Sequence, residues 1–536
     1  MLGLATIYRG ARASPAATAS VPAVSAAPLG EARLAAIGLA AIVVLAVGLR
    51  LIPLVFVPSV NWADEIFQTI EPAHRLVYGY GLVPWEFQLG MRSWLLPGLI
   101  AGLMKLGAVA GDDPACYLPV IAVCFSLLAS APAICCFLWG RRFFGLACAL
   151  VGAAAVAIAP ELVYFGGRTL VEVVAAHLLV VGCYLLQPGY PVRSPRRLFA
   201  AGVLFGLVCL LRIHIAPALL VVLVWSAWGA WRERLPAIVA GGLAALAFGA
   251  ALDWLTLGYP LASVWRNILY NVLYGVSGEF GVEPWYFYLL GEFGLWSSGA
   301  LVLLAVLAVG ARRLPVLLLA AAAIVAAHSL IGHKEYRFIY PAIVLVMVLA
   351  GVGLAQLTSW AAQWLAGRNI RPRAAIAAAA AIVLGYWTLV AFSVWNGDTL
   401  GRLRRLDNDH LTAAAVAARL PQMCALGLYG EKGYDWGWYG GYSHLHRPLP
   451  MYWPVGERDL TATAPAFNTL LYTRAPPPEL GFVTTQCFGQ VCVAQRNGGC
   501  AAQRMAAMPF PDALAALRPT CEKFEAVPHL PSSPTN

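Results

Sequence analysis

Long apolar runs alternate with short polar breaks over most of this chain. Runs at residues 34–57, 117–139, 146–163, 170–187, 236–256, 294–310, 314–331, 338–356 and 374–394 each lie near the ~20 residues that cross a ~30 Å hydrocarbon core as a helix. The apolar stretch 198–231 is too long for one span, because at 1.5 Å per residue it would reach about 51 Å. It divides near Arg212 to Pro217, where a polar turn separates two short helices and Pro217 suits the first turn of the second. Nine runs and this divided pair predict an all-α, multi-pass bundle of about eleven transmembrane helices.

The polar breaks carry a topology. Arg9, Arg12 and Arg33, then Arg141/Arg142, Arg193/Arg196/Arg197, Arg232/Arg234, Arg312/Arg313 and Arg368/Arg371/Arg373 fall in every second break, which places those breaks and the amino terminus in the cytoplasm. The alternate breaks are outer and hold Asp64, Glu65, Glu71, Glu86, Asp112 and Asp113, then Glu279, Glu283 and Glu292, then His333-Lys334-Glu335. Counting Trp94 to Gly111 as a further span would invert every later break, so this segment is predicted to be an interfacial or re-entrant helix within a large first outer loop, residues 58–116. Residues 1–33, rich in Ala, Ser and Pro and without the apolar core of a signal peptide, are expected to be a disordered cytoplasmic tail. Residues 34–395 form the transmembrane catalytic domain.

From Asn396 the pattern changes to polar, Gly/Pro/aromatic-rich sequence with strand-length runs, and residues 396–536 are predicted to be a small α+β extracytoplasmic domain. Phe482 to Arg496 is expected to form two short strands around Phe488-Gly489-Gln490, with Cys487 and Cys492 facing each other. An oxidising compartment permits that bridge and a second between Cys500 and Cys521, although spacing does not fix connectivity.

Composition narrows the class. Of 536 residues, 60% are hydrophobic and 12% charged, far more apolar than a soluble domain. The net charge of +10 is spread in short clusters between apolar runs rather than gathered in one patch, which argues for membrane topology and against a nucleic-acid partner.

Candidate chemistry lies in the outer breaks. Asp64 and Glu65 are neighbours at the membrane surface, about 100° apart on a helix, so one is expected to be catalytic and the other supporting. A carboxylate beside an acceptor hydroxyl can take its proton as a general base, while the same pair also fits a solvated helix start. Trp85, Glu86 and Arg92 offer a stacking face and fixed polar groups for a sugar or a phosphate. His333, Lys334 and Arg337 are cations in a short outer break. On a helix His333 and Arg337 share a face, and an anionic phosphate would offset their charge, as would lipid headgroups and a local pair with Glu335. Asn271 to Tyr288, with Asn271 and Trp285, mixes hydrogen-bonding and aromatic groups suited to carbohydrate or an isoprenoid chain. Arg168 is a further candidate partner for phosphate or carboxylate.

In order along the chain, Asp64-Glu65-x-Phe67-Gln68 with Glu71 and His74, Gly79 to Phe87, Arg92-Ser93, Gly167 to Leu170, Asn271 to Tyr288 and His333-Lys-Glu-x-Arg-Phe338 resemble the polyprenyl-phosphate-mannose-dependent mannosyltransferases that extend the N-glycan precursor and the GPI core. The resemblance covers roughly residues 58–345 and implies a glycosyltransferase C type bundle whose first outer loop carries an acidic catalytic residue, at Asp64. It further implies a polyprenyl-phosphate sugar donor, a lipid-linked or cell-envelope glycan acceptor, inversion at the sugar carbon, and no cofactor. His333, Lys334, Arg337 and Arg168 would then bind the donor phosphate, Glu65 would support Asp64, and Trp85, Glu86, Arg92, Asn271 and Trp285 would contact sugar or acceptor. The chain departs from the family pattern at Trp62-Ala63, where His-Pro is usual, and at Glu172, where Asn is common.

Asp64, Glu65, Asp112 and Asp113 leave a divalent metal as an alternative. Another polyprenyl-linked pentose or hexose is the rival donor, and a lipid or glycan transporter the rival class, which would place ionisable residues near the bilayer midplane. The expected location is a bacterial cytoplasmic membrane with the site facing outward, with the endoplasmic reticulum membrane as the alternative.

Overall fold

In a computed structural model of the chain, residues 29–186, 194–404, 408–430 and 439–500 apart from Gly499 are described. Most of the expected tail, Arg193, Cys521 and the end of the outer domain lie outside them. The chain forms two compact units, residues 1–41 and 42–536. The described residues of the first unit are the opening turns of the helix Leu29–Leu51.

Each predicted span falls on helix, but few are long. Among the described residues, five helices are long and apolar enough to cross a membrane: Gly30–Phe56, Pro114–Phe144, Trp231–Leu257, Tyr336–Ala366 and Pro372–Trp395. The pair Phe287–Trp296 and Gly299–Ala311 would make a sixth, bent by 108°. The remaining predicted spans correspond to shorter helices, among them Leu146–Ala157, Val171–Leu186, Pro195–Leu211, Ala216–Ala227 and Pro315–Ser329. Several are interrupted at the end that meets the outer loops. Pro160 restarts the chain after Leu146–Ala157, and Arg212 separates Pro195–Leu211 from the next helix. The segment Trp94 to Gly111 contains the helix Leu95–Ala108, whose 14 residues span about 21 Å. It buries Leu96, Ile100 and Met104 against Ile70, Ala73, Tyr117 and Phe125.

Tyr340–Ala366 is the central helix, its most apolar window 89% buried, whereas those of Trp231–Leu257 and Pro372–Trp395 are only 22% buried and turn their apolar surface outward. Without water to drive apolar faces together, close backbone approach holds such helices. A Cβ on Gly353 would lie 2.0 Å from the Val306 carbonyl, and one on Gly310 1.9 Å from that of Leu349, so this crossing requires glycine on both sides.

The outer domain is built on a five-stranded sheet of β1 (Leu426–Tyr429), β2 (Met451–Tyr452), β3 (Thr469–Tyr472), β4 (Val483–Phe488) and β5 (Val491–Gln495), in the order β2-β1-β3-β5-β4. β1 runs parallel to β2 and β3, and β5 antiparallel to β3 and β4. Cys487 and Cys492 face each other across β4 and β5 and are bridged. Cys500 is bridged to Cys424 and so is not the partner of Cys521. The fold brings Cys424, just before β1, beside the chain leaving β5, a proximity that sequence separation conceals.

This domain is not packed by itself. Val60, Ile66, Phe67 and Leu82 of the first outer loop share one apolar core with Leu411, Leu426, Leu428, Tyr442, Leu471 and Val493.

Candidate active site

The first outer loop opens on a turn at Asn61 to Ala63, after which Asp64 and Glu65 begin a helix that widens over Ile66–Ile70 and tightens again over Glu71–Tyr78. At the widened turn the Glu65 carbonyl accepts from the hydroxyls of Thr69 (2.6 Å) and Thr169 (2.7 Å). Such one-residue bulges are common where a helix must aim a side chain.

The two carboxylates part company. Glu65 is buried and accepts from Arg168 Nη1 on both oxygens, at 2.8 and 2.9 Å. Arg168 has its other donors on the Ser59 carbonyl (2.8 Å), the Ser59 hydroxyl (3.0 Å) and the Tyr164 carbonyl (3.2 Å). Burial pushes the Glu65 carboxyl up, with Arg168 pulling the other way. The Asp64 side chain, 29% exposed, pairs instead with Arg337 Nη2.

The cationic break is not the helix its spacing predicted. His333 to Glu335 is irregular, and a helical turn begins only at Tyr336–Ile339, so His333 and Arg337 do not share a face. His333 bonds the Gly281 carbonyl (3.0 Å) and Glu335 (3.2 Å). Lys334 is buried and donates to backbone carbonyls, that of Glu283 at 2.7 Å and those of Ile331 and Gly332. Arg337 alone reaches inward, binding Glu335 through Nε at 2.8 Å and Nη2 at 3.0 Å, Glu172 through Nη1 at 3.4 Å, and Asp64. Burial would raise Glu335, but Arg337 and His333 outweigh it and hold its carboxyl well below the usual range. The bond to Glu335 in turn raises His333.

Sequence reasoning placed Arg212 only as a break between helices, yet it continues this network. Glu172, fully buried, sits between Arg337 and Arg212, the latter at 3.1 Å. The chain Asp64–Arg337–Glu172–Arg212 ends at a cleft of about 50 Å³. Its lining is mixed, with the polar Arg92, Arg212, His214, Gln68, Ser93, Ser263 and Asn267 beside the apolar Leu95, Leu96, Pro97, Val171, Leu210 and Val264. The Nε atoms of Arg92 and Arg212 are buried without a hydrogen-bond partner. The available signal was an arginine interrupting an apolar run ahead of Pro217.

Glu86 lies beside this cleft, accepting from Gln68 (2.9 Å) and 3.8 Å from Arg92, and burial pushes its carboxyl up. Trp85 stacks on Phe280 at 5.8 Å, tying the first outer loop to the third. Asn271 stands on a wide helical turn, Leu269–Leu273, its carbonyl accepting from Ser277. Trp285 is 67% exposed, against Tyr286. The predicted residues thus fall into separate pairs, Asp64 with Arg337, Glu65 with Arg168, and Glu86 with Arg92 by the cleft, and among the described residues no hydrogen bond or ion pair ties Asn271 or Trp285 to any of them.

Two further outer-loop residues hold the sheet domain. Glu71 accepts from the backbone N–H groups of Leu82 (2.8 Å), Tyr442 (3.2 Å) and Ser443 (2.8 Å). Gly441 allows this approach: its φ is +59°, and a Cβ there would lie 2.7 Å from the Glu71 carboxylate. His74 bonds the Tyr80 carbonyl (3.1 Å) and His446 (3.0 Å). The four carboxylates weighed for a metal have separate surroundings: Asp64 at Arg337, Glu65 at Arg168, Asp112 3.9 Å from His446, and Asp113 capping the helix Pro114–Leu128. Among the described residues no three metal-ligating side chains converge.

The sequence pattern of the Alg9-like mannosyltransferase family matches residues 41–395, which contain this network. GPI mannosyltransferase 3 of Yarrowia lipolytica is 30% identical over 313 residues, 56% of this chain and 60% of that protein. GPI alpha-1,2-mannosyltransferase 3 of Danio rerio is 26% identical over 354 residues, 60% of each chain. The chain therefore spans about 60% of the length of these curated relatives. Among solved structures, ArnT from Cupriavidus metallidurans bound to undecaprenyl phosphate superposes with a TM-score of 0.55 at 15% identity, over 88% of this chain and 99% of that one, which shows a shared glycosyltransferase C type fold. With two thirds of its length under the family pattern, the chain belongs to the Alg9-like mannosyltransferase family.

Proposed function

We propose that the protein is a membrane mannosyltransferase that moves mannose from a polyprenyl-phosphate donor to a hydroxyl of a lipid-linked or cell-envelope glycan on the non-cytoplasmic face. The observation that carries this reading is the ion-pair chain from Asp64 through Arg337 and Glu172 to Arg212, joining a partly exposed carboxylate to a cleft lined by both arginines and apolar side chains. An amphipathic donor, a phosphate on a prenyl chain, matches that mixed lining. Arg92 and Arg212 would receive the phosphate as charge-assisted donors, and Leu95, Leu96 and Val264 the first isoprene units.

In this reading Asp64 takes the acceptor proton as the acceptor oxygen attacks the sugar carbon and the bond to the phosphate oxygen breaks on the opposite side, inverting the centre. The polyprenyl phosphate leaves with the bonding electron pair, and Arg337 with Arg92 and Arg212 stabilises its charge. Glu65, held by Arg168, fixes the start of the helix that presents Asp64. Lys334 and Arg168, whose donors are taken up by protein acceptors, act as braces rather than phosphate ligands. His333 acts through Glu335.

The eleven-span topology accompanies this function. The chain's two described disulfides both lie in the outer domain, and the seven described free cysteines all lie between residues 116 and 209. That division favours an oxidising compartment on the sheet's side, as the outer face of a bacterial cytoplasmic membrane or the lumen of the endoplasmic reticulum would provide.

The test is transfer of radiolabelled mannose from polyprenyl-phosphate mannose, using membranes with the wild-type protein and with Asp64→Ala. Transfer by wild type, reduced at least a thousandfold in the variant at equal expression, is expected for a lost base acting with its positioning role. An inactive wild type that consumes another polyprenyl-linked sugar removes the mannose assignment, and an active Asp64→Ala removes the base.

A further inference from the structure

A second, partly buried cluster lies beside the proposed site and plays no part in the chemistry given above. Glu161 stands on the short helix Pro160–Phe165, Glu292 on Phe287–Trp296, and Tyr336 on the turn that carries Arg337. The Tyr336 hydroxyl is within hydrogen-bonding distance of one oxygen of each carboxyl, Glu161 Oε1 and Glu292 Oε1, the latter at 2.9 Å. The other Glu161 oxygen accepts from the Trp296 indole N–H at 2.8 Å.

Proton counting resolves this arrangement. A tyrosine hydroxyl has one proton to donate and can also accept. Glu161 Oε2 accepts from the Trp296 indole N–H, a donor that cannot accept, so Glu161 has one more donor than Glu292 to hold a negative charge and is the ionised carboxylate, accepting a hydrogen bond from Tyr336 at Oε1. The contact between Tyr336 and Glu292 then has the carboxylic-acid O–H of Glu292 as its donor. Two carboxylates sharing one hydroxyl in a region of low dielectric would otherwise repel at close range.

The cluster also braces both ends of the Asp64–Arg337 pair. Tyr336 immediately precedes Arg337. Phe165, on the helix of Glu161, stacks on Tyr336 at 6.2 Å and on Trp62 at 5.1 Å, and Trp62 lies two residues before Asp64. Resting on the function proposed above, we propose that Glu292 is held as the neutral acid in a Glu292–Tyr336–Glu161 relay, and that these three are positioning residues that set Arg337 against Asp64.

Among the described residues, ionisable groups near Glu292 are few. Glu161 and Tyr336 face it directly, Tyr288 stands on its own helix, and Arg337 follows Tyr336 on the turn Tyr336–Ile339 packed against that helix. Of the helices packed on its own, Gly299–Ala311 carries none, Pro315–Ser329 carries His328, which bonds the Ile324 carbonyl, and Asp398–Leu403 carries the exposed Asp398 and Arg402. Behind Glu161 stand Tyr340 and Arg50. Losing the Glu292 proton at alkaline pH would leave two carboxylates at one hydroxyl and release Tyr336.

The experiment combines mannosyl transfer against pH with infrared difference spectra of the purified full chain, for wild type, Glu292→Gln, Glu161→Gln and Tyr336→Phe. Gln at 292 donates as the neutral acid does, so that variant is expected to transfer within about twofold of wild type at neutral pH and to lose the alkaline decline. Glu161→Gln and Tyr336→Phe are expected to lose roughly tenfold in kcat, with donor KM nearly unchanged, as a broken bond to a charged group implies. The carboxylic-acid C=O band should vanish in Glu292→Gln and survive in Glu161→Gln. A band lost in Glu161→Gln instead, an unaltered alkaline limb in Glu292→Gln, or wild-type kcat in Tyr336→Phe overturns the proposal. Wild-type protein that transfers no mannose counts against the proposed function, and the infrared result then decides the position of the proton by itself.

Discussion

Arg337 binds three carboxylates from three parts of the chain, Asp64, Glu172 and Glu335. Its planar fork meets several acceptors at fixed angles, whereas a lysine would offer one compact charge. Arg337→Lys is therefore expected to keep the fold and lose at least tenfold in kcat, measured as donor-saturated transfer. Arg168 makes the opposite case. Its side chain and that of Glu65 are 2% and 8% exposed, so Arg168→Ala would strand a buried carboxylate and cost about 3–5 kcal/mol, read as a lower midpoint of thermal unfolding in detergent. A stable Arg168→Ala protein with a raised donor KM would instead make Arg168 a phosphate ligand. The sequence named both arginines and both carboxylates, because charge beside an apolar run stands out. It did not pair them, since Arg168 and Glu65 are separated by 103 positions and no local period links such residues.

At the scale of elements, the turn Gly440 to His446 is clasped to the segment Glu71 to Leu82. Burial, with His446 beside it, pulls His74 down to about 4, and burial pulls His444 down to about 4. Both stay neutral when docked but take up a proton near 6.5 when released, so each weakens docking as pH falls from about 6.5 towards 4, by about 1.4 kcal/mol per pH unit. Glu71, which burial pushes up to about 7, works in the other sense: its contribution is present below its ordinary value and is lost as pH rises through 7. Two groups against one leave a net weakening of about 1.4 kcal/mol per unit between roughly pH 6.5 and 4.5. Hydrogen exchange of peptides spanning residues 71–82 and 440–446, corrected for intrinsic rates, should speed up over that window, and more steeply in Glu71→Gln. Exchange that slows with acid would refute this balance. The paired strands around Gly489 were legible from alternation and turn residues. The clasp was not, because backbone N–H groups carry no sequence signature.

For the whole molecule, the proposed eleven-span topology predicts sidedness. Single cysteines replacing Arg312 and Arg371 should react with a membrane-impermeant maleimide only from the cytoplasmic face, and one replacing Gly278 only from the other. A Gly278→Cys protein labelled from the cytoplasmic side would invert the third outer loop and remove the topology. The sequence by itself determined that this is a helical membrane protein and where its polar breaks fall, because transfer of apolar side chains into lipid depends on composition and length alone. Only the tertiary structure decided that Asp64 meets Arg337 while Glu65 meets Arg168, that Arg212 lines the cleft, and that Cys500 joins Cys424. Partner choice among buried charges and thiols is set by which elements pack together. That packing is a property of the whole chain, and no local spacing encodes it.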